Sequence, residues 1–203
     1  MFTGIVKAMA KVTLIIKESK GKVLEFILKD TSEIFSVGDS IAINGCCTSI
    51  TTIHNNCLKV YLVNETLTKT NLDLLKVNDF INIEYSLKAN ASIHGHIVQG
   101  HVEATGEIIA IKDSSMATTI ITVQYPAILD PYIVNKGYIT VDGMSLTVIT
   151  AKNNCFCFTL IPLTQALTIA KYYCIGTIVN LETDIFAKYF VKTMEKNYAD
   201  LIR

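Results

Sequence analysis

The chain carries no surplus of charge: 18 Lys and Arg balance 18 Asp and Glu over 203 residues. Nucleic-acid binders gather basic residues into a patch or stripe, and none is visible here, so nucleic acid is not an expected partner. Long apolar runs are also missing. No stretch approaches the ~20 apolar residues of a membrane span. The opening MFTGIVKAMAKVTLIIKESK is interrupted by Lys7, Lys11 and Lys17, where a signal peptide needs an unbroken apolar block. A cytoplasmic protein with no membrane segment is expected. The six cysteines, Cys46, Cys47, Cys57, Cys155, Cys157 and Cys174, form no CxxC pair. A chain of this length needs no disulfide staples, and they are expected to be buried, reduced thiols. GxGxxG, the P-loop and the GxSxG elbow are absent, so no bound cofactor is expected.

What the sequence does contain, it contains twice. A shift of 98 residues aligns 41–84 with 139–182 without a gap, with 11 identities in 44 positions, among them Gly45, Asn55, Asn56, Cys57, Asn82 and Glu84. Ordinary usage would give about three. At a shift of 96, FTGIVKA aligns with VQGHVEA, pairing Gly4 with Gly100 and Val6 with Val102. The pattern is a duplicated unit of just under 100 residues.

Each copy is rich in short β-branched and aromatic runs (IAIN, LKVYLV, YITV, LTVIT, CFTLI) set between turn residues. Asn55-Asn56 and Asn153-Asn154 sit between two such runs, where Asn tolerates the positive φ of tight hairpins. A small closed barrel per copy is expected, with one short helix in each over 66–75 and 164–174. The tail is unique: Phe186, Phe190, Met194, Tyr198 and Ile202 recur every fourth residue, the stripe of an amphipathic helix. That stripe either packs on the chain's own barrels or serves assembly. The fold expected is all-β, two tandem homologous Greek-key barrels over 1–96 and 97–184, with short helices and a C-terminal amphipathic helix over 185–203.

The copies diverge at one informative place, INGCCTSI against VDGMSLTV. Residues two apart on a strand share a face. Ser145 and Thr147 therefore point one way, as do Cys47 and Ser49 in the first copy, each pair just after a Gly turn. Three histidines cluster in SIHGHIVQGHVEA: His94, His96 and His101. No carboxylate or thiol follows at a ligand spacing, so no metal is expected. Proton transfer near neutral pH suits them better. Glu84 and Glu182 end matched strands, and Ser40, Lys136, Glu65 and Asp184 lie near the repeated turns; taken singly, each is more commonly a solvated surface group. These residues describe two pockets with hydroxyl, thiol and imidazole groups but do not name a ligand.

Taken together, MFTGIV, NGCC, GHIVQGH, VDGMSLTV and LIPLT are similar to the riboflavin synthase family of the alpha-chain type, over essentially the whole length. The resemblance implies two similar Greek-key barrels and a C-terminal helix that gathers three chains into a homotrimer. It implies a cofactor-free dismutation of two 6,7-dimethyl-8-ribityllumazine molecules, one giving a four-carbon unit to the other, to form riboflavin and 5-amino-6-ribitylaminouracil. Two copies of one barrel would then hold two identical substrates, at a site between the first barrel of one chain and the second barrel of its neighbour. The family also admits lumazine synthase as a partner.

By the resemblance, Gly4, Ile5 and Val6 with Cys47, Thr48 and Ser49 form the first ligand surface, completed by Tyr61, Leu62, Val63, Asn64, Glu65 and Thr66. Gly100, His101 and Val102 form the second with Lys136, Ser145, Leu146 and Thr147, and with Thr159, Leu160, Ile161, Pro162, Leu163 and Thr164. Phe2, Ser40, His96 and Asp184 match positions near the junction. The groups expected in the chemistry are Ser145, Thr147, His101 and Cys47, with His96 and Ser40 beside them; which is base and which nucleophile stays open. Thr48-Ser49 replaces the Leu-Thr of many relatives, a change expected to loosen packing behind the first pocket, and Leu163 stands where some carry a polar residue. The rival reading is a non-catalytic lumazine- or flavin-binding protein on the same fold.

Overall fold

A computed structural model describes residues 1–29, 33–113 and 118–201, the side chains of 197–201 aside. The first copy contributes β1 (Ala8–Glu18), β2 (Gly21–Ile27), β3 (Ser40–Ile43), β4 (Cys46–His54), β5 (Cys57–Val63), α1 (Asn64–Lys69) and β6 (Phe80–Tyr85). The second contributes β7 (Ala104–Asp113), β8 (Thr119–Gln124), β9 (Tyr138–Val141), β10 (Met144–Thr147), β11 (Thr150–Lys152), β12 (Cys155–Leu160), α2 (Pro162–Leu167) and β13 (Ile178–Thr183), followed by α3 (Ile185–Leu201).

The first six strands close in the order β1-β2-β5-β4-β3-β6. Strands β3, β4 and β5 form a meander, and β6 returns beside β3, which is a Greek key. The second copy repeats this order, except that the counterpart of β4 is split into β10 and β11 at Val148–Ile149. That junction stays tied on both sides, Val148 N–H to Gly137 O (2.9 Å) and Ile149 N–H to Cys157 O (2.8 Å). A register shift between Val12 and Leu14 on β1 recurs between Ile108 and Ala110 on β7, so the duplication extends to matching bulges. Each barrel has its own apolar core, around Phe26, Ile41, Leu58 and Ile81 in the first and Ile108, Ile139, Phe156 and Phe158 in the second.

Turn chemistry accounts for the sharp corners. Asn44-Gly45 and Asp142-Gly143 all have positive φ, the type I′ geometry that suits a right-twisted hairpin. These two turns meet back to back: a Cβ on Gly45 would lie 2.6 Å from Gly143 N, and one on Gly143 2.8 Å from Gly45 N. Around them runs a buried, two-fold polar network. Asn82 Nδ2 donates to Asp142 O and Asn180 Nδ2 to Asn44 O, both at 2.8 Å. Asn71 N–H donates to Asn180 Oδ1 at 2.6 Å and Ile169 N–H to Asn82 Oδ1 at 2.8 Å. Leaving a buried partner unpaired costs about 1–3 kcal/mol, so the network holds the barrels in one relative orientation.

The helix expected in each copy is two turns rather than one. A 3₁₀ turn at 71–74 follows α1, and another at 169–172 follows α2. Thr70 divides the first pair: its hydroxyl donates to Thr66 O and accepts from Leu72 N–H, and Thr168 does the same with Thr164 and Ala170. Helix α3 leaves Phe186, Tyr189 and Phe190 about two-thirds exposed, at 64%, 67% and 68%. In this chain its stripe is not packed on the barrels; Tyr198 and Ile202 lie outside the described side chains. Among the described residues no helix is long and apolar enough to cross a membrane.

Candidate active site

Hairpin β9–β10 places Ser145 opposite Thr140 and Thr147 opposite Tyr138. His96 lies over this hairpin. Its Nδ1 is 2.7 Å from Ser145 Oγ and its Nε2 is 3.3 Å from Thr140 Oγ1. Its ring stacks on Tyr138 at 5.0 Å between centroids and 9° between planes. Burial lowers the His96 pKa, with Asp184 opposing. A neutral imidazole with Nε2–H donating to Thr140 has a bare Nδ1, able to take a proton from Ser145 or from a ligand. Ser145 is half-buried and Thr147 exposed, so the face they share opens outward.

The matching face of the first barrel is chemically different. Cys47 lies opposite Ala42, and Ser49 opposite Ser40. Cys47 packs with Phe2, Ala42 and Val98, an apolar cluster in place of an imidazole. Its neighbour Cys46 faces the core, where burial pushes the thiol up to about 12 and leaves it protonated. Thr48 is also buried and donates to Ile41 O at 3.0 Å, so its hydroxyl is satisfied.

Two short arms cover these faces, and they cross. The expectation placed Gly4, Ile5 and Val6 with Cys47, and Gly100, His101 and Val102 with Ser145. The structure reverses this. Ser145 N–H donates to Gly4 O at 2.7 Å, and Cys47 N–H to Gly100 O at 2.8 Å. Val6 packs on the second core and Val102 on the first. The approach is close enough to demand glycine: a Cβ on Gly4 would stand 2.6 Å from Ser145 Cβ, and one on Gly100 2.6 Å from Cys47 Cβ. The arms are joined by reciprocal bonds, Phe2 N–H to Val98 O (2.7 Å) and Val98 N–H to Phe2 O (3.1 Å). A crossed pairing is what two-fold related barrels allow when each chain segment enters between them.

The glutamates expected at the surface are buried and hold the arms. Glu84, 4% exposed, accepts from Thr3 N–H (2.7 Å), Thr3 Oγ1 (3.1 Å) and Gly4 N–H (3.1 Å). Glu182, 3% exposed, accepts from Gln99 N–H (2.7 Å) and Gly100 N–H (2.9 Å). Burial raises both pKa values while the arm N–H groups pull them down. The repeat of Glu at matched positions was the signal for this role; Thr140 had none, since its counterpart is Ala42.

The other expected residues are distributed as follows. His101 is exposed on the arm that crosses Cys47, away from the hairpin it was expected to join. His94 is exposed where His96 is buried, so the two do not share surroundings. Lys136 keeps a positive φ of 65° and donates its N–H to Val148 O, where the first copy has Gly38 at 95° donating to Ile50 O. Asp184 Oδ1 accepts from Phe186 N–H at 3.0 Å, capping α3. Segments 61–66 and 159–164 run from β5 into α1 and from β12 into α2, with Val63 and Ile161 exposed at the strand-to-helix junctions and Leu163 exposed in the first turn of α2. Ser40 is half-buried beside Ser49.

The family model for the lumazine binding domain matches twice, over residues 3–86 and 99–184. Riboflavin synthase of Actinobacillus pleuropneumoniae is 37% identical over 200 residues, covering 98% of this chain and 93% of that protein. Riboflavin synthase of Mycobacterium bovis is 37% identical over 200 residues, covering 96% and 98%. This chain belongs to the riboflavin synthase family. Among solved structures similar to it, the protein LumP in complex with 6,7-dimethyl-8-(1'-D-ribityl) lumazine superposes with a TM-score of 0.81 at 18% identity, over 90% of this chain and 99% of that one. LumP complexed with riboflavin gives 0.82 at 19%. At that identity the likeness speaks for the fold. For a member of the riboflavin synthase family, the crossed arms make each lumazine-binding unit depend on residues from the other copy.

Proposed function

We propose that this chain is a riboflavin synthase acting on two molecules of 6,7-dimethyl-8-ribityllumazine, one bound on each kind of barrel. One substrate surrenders its four-carbon unit and leaves as 5-amino-6-(D-ribitylamino)uracil; the other receives it and becomes riboflavin. Atoms balance between the two substrates and the two products without an external oxidant or reductant, and the proposed reaction includes no cofactor. The observation that carries this reading is the unequal equipment of two matched sites: Ser145 meets the His96 imidazole, and Cys47 packs with Phe2, Ala42 and Val98. Identical substrates in unequal surroundings take unequal roles.

The C7 methyl of the lumazine is acidic because the ring system delocalises the carbanion. Neutral His96, alone or through Ser145, takes or returns protons there, and a hydroxyl or water adding at C7 of the partner substrate prepares it for attack. Thr147, Ser49, Ser40, Lys136 and His101 bind and orient the substrates, with segments 61–66 and 159–164 forming the walls. Holding the two rings in register supplies much of the rate. Residues 1–96 and 97–184 act as the two lumazine-binding units and 185–203 as the assembly helix. The exposed apolar face of α3 supports a homotrimer in which the first barrel of one chain meets the second barrel of the next. The proposal includes a cytoplasmic location and lumazine synthase, which would form the substrate, as a further partner.

The test is to mix the purified protein with 6,7-dimethyl-8-ribityllumazine alone and follow riboflavin by absorbance. One riboflavin per two lumazines consumed, over many turnovers, is expected. Tight binding without turnover would make the chain a carrier.

A further inference from the structure

The His96–Ser145 pair is held by backbone that belongs to neither residue's own strand. Ser145 N–H donates to Gly4 O at 2.7 Å, and His96 N–H donates to Thr3 O at 3.1 Å. Both members of the pair therefore hang on two consecutive carbonyls of the N-terminal arm. Those two residues are in turn gripped from the other side by one carboxylate, which takes Thr3 N–H at 2.7 Å, Thr3 Oγ1 at 3.1 Å and Gly4 N–H at 3.1 Å. That carboxylate is on β6 of the first barrel, while Ser145 is on β10 of the second.

We propose that Glu84 is a positioning residue that sets the geometry between His96 and Ser145 from across the barrel interface. It touches neither side chain. Its effect passes through the Thr3-Gly4 peptide, whose N–H groups it fixes and whose carbonyls fix the pair. The mirror residue Glu182 shows what the arrangement does and does not share. Glu182 grips Gln99 N–H and Gly100 N–H, and Gly100 O takes Cys47 N–H, so its arm serves the opposite site. The side-chain grip that Thr3 adds has no equivalent there, because the matched residue is Gln99. The additional side-chain contact thus belongs to the site that contains the imidazole. This inference rests on the reading that the His96–Ser145 pair carries the chemistry.

The experiment compares Glu84→Gln and Glu182→Gln in the full-length protein, reading kcat, KM and the ¹⁵N ring signals of the four histidines, assigned by substitution. Glutamine turns one accepting oxygen into an NH₂ group facing an N–H or O–H of the arm. For Glu84→Gln the expected result is a fall in kcat of about 10–100-fold with KM changed less than about threefold, as for a displacement of order 1 Å. The His96 ring signals should move toward those of Ser145→Ala, and Glu182→Gln should leave them in place. His96 signals unmoved in Glu84→Gln, or moved equally by both variants, would overturn the proposal, as would a loss confined to KM. Should Glu84→Gln fail to fold, Thr3→Val removes only the hydroxyl contact and should shift the same signals by less, with Thr3→Ser restoring them; no shift in Thr3→Val then overturns the proposal. Because the ring signals need no turnover, absence of riboflavin with the unsubstituted protein would count against the enzyme reading alone. The positioning role would still stand or fall on the spectra.

Discussion

His96 Nδ1 lies 2.7 Å from Ser145 Oγ, although the two residues are 49 positions apart and only the tertiary fold brings them together. The matched thiol of Cys47 sits among apolar groups instead. The two barrels of one design therefore differ chemically at these matched positions.

Replacing Ser145 with Ala should lower turnover at least about 100-fold, the usual scale for a positioned proton-transfer group, while lumazine binding weakens by less than about tenfold. Steady-state kinetics against a fluorescence titration of the ligand separates the two. Equal losses in both would reduce Ser145 to a binding residue.

Gly4→Ala should destabilise the fold and slow turnover together. The new methyl would stand 2.6 Å from Ser145 Cβ on a residue with φ of 75°. Overpacking with an unfavourable φ costs about 1–3 kcal/mol, which urea denaturation would register as a lower midpoint. A midpoint unchanged from that of the unsubstituted protein would contradict the close approach.

Asp142 is fully buried at the interface between the barrels, and burial raises its pKa from 3.8 to about 7. Its Oδ1 accepts from Asn71 Nδ2 (2.9 Å) and Asn180 N–H (2.8 Å), and its Oδ2 from Tyr173 OH (2.7 Å). The native state binds the proton more tightly than the unfolded chain, so this group's contribution to stability is present at low pH and is lost as pH rises from 3.8 through about 7. In Asp142→Asn, Oδ1 keeps its two donors and the NH₂ can donate to Tyr173 Oη, as a neutral Asn44 sits in the first copy. The variant should lose that part of the pH dependence, gaining stability relative to the parent as pH rises toward 7. Melting temperatures across pH 4–8 check this; parallel curves for the two proteins would refute it.

Removing everything after Asp184 deletes the helix that bears exposed Phe186, Tyr189 and Phe190. The shortened chain should sediment as a monomer, bind lumazine, and retain less than about a tenth of the activity, because the proposed site needs a neighbour's barrel. A fully active monomer would sink the inter-chain site.

The sequence by itself determined whatever depends on near neighbours. Duplication was legible from identities at one offset, strands from β-branched runs, and tight turns from Asn44-Gly45 and Asp142-Gly143, since side-chain sterics at two residues decide the sign of φ. The amphipathic tail was legible for the same reason, although its outward-facing stripe was not, because exposure depends on what else the fold brings near. Which arm covers which barrel was decided only in three dimensions. Gly4 and Gly100 are equivalent in sequence, so periodicity cannot say whether each lies on its own barrel or on the other. The tertiary structure settles it by steric room at Ser145 and Cys47 and by the acceptors at Glu84 and Glu182, 81 and 83 positions from the donors they satisfy. Burial of those carboxylates follows from the same contacts: a charged group leaves water only where several N–H donors converge on it, and convergence over such distances is a property of the assembled pair of barrels.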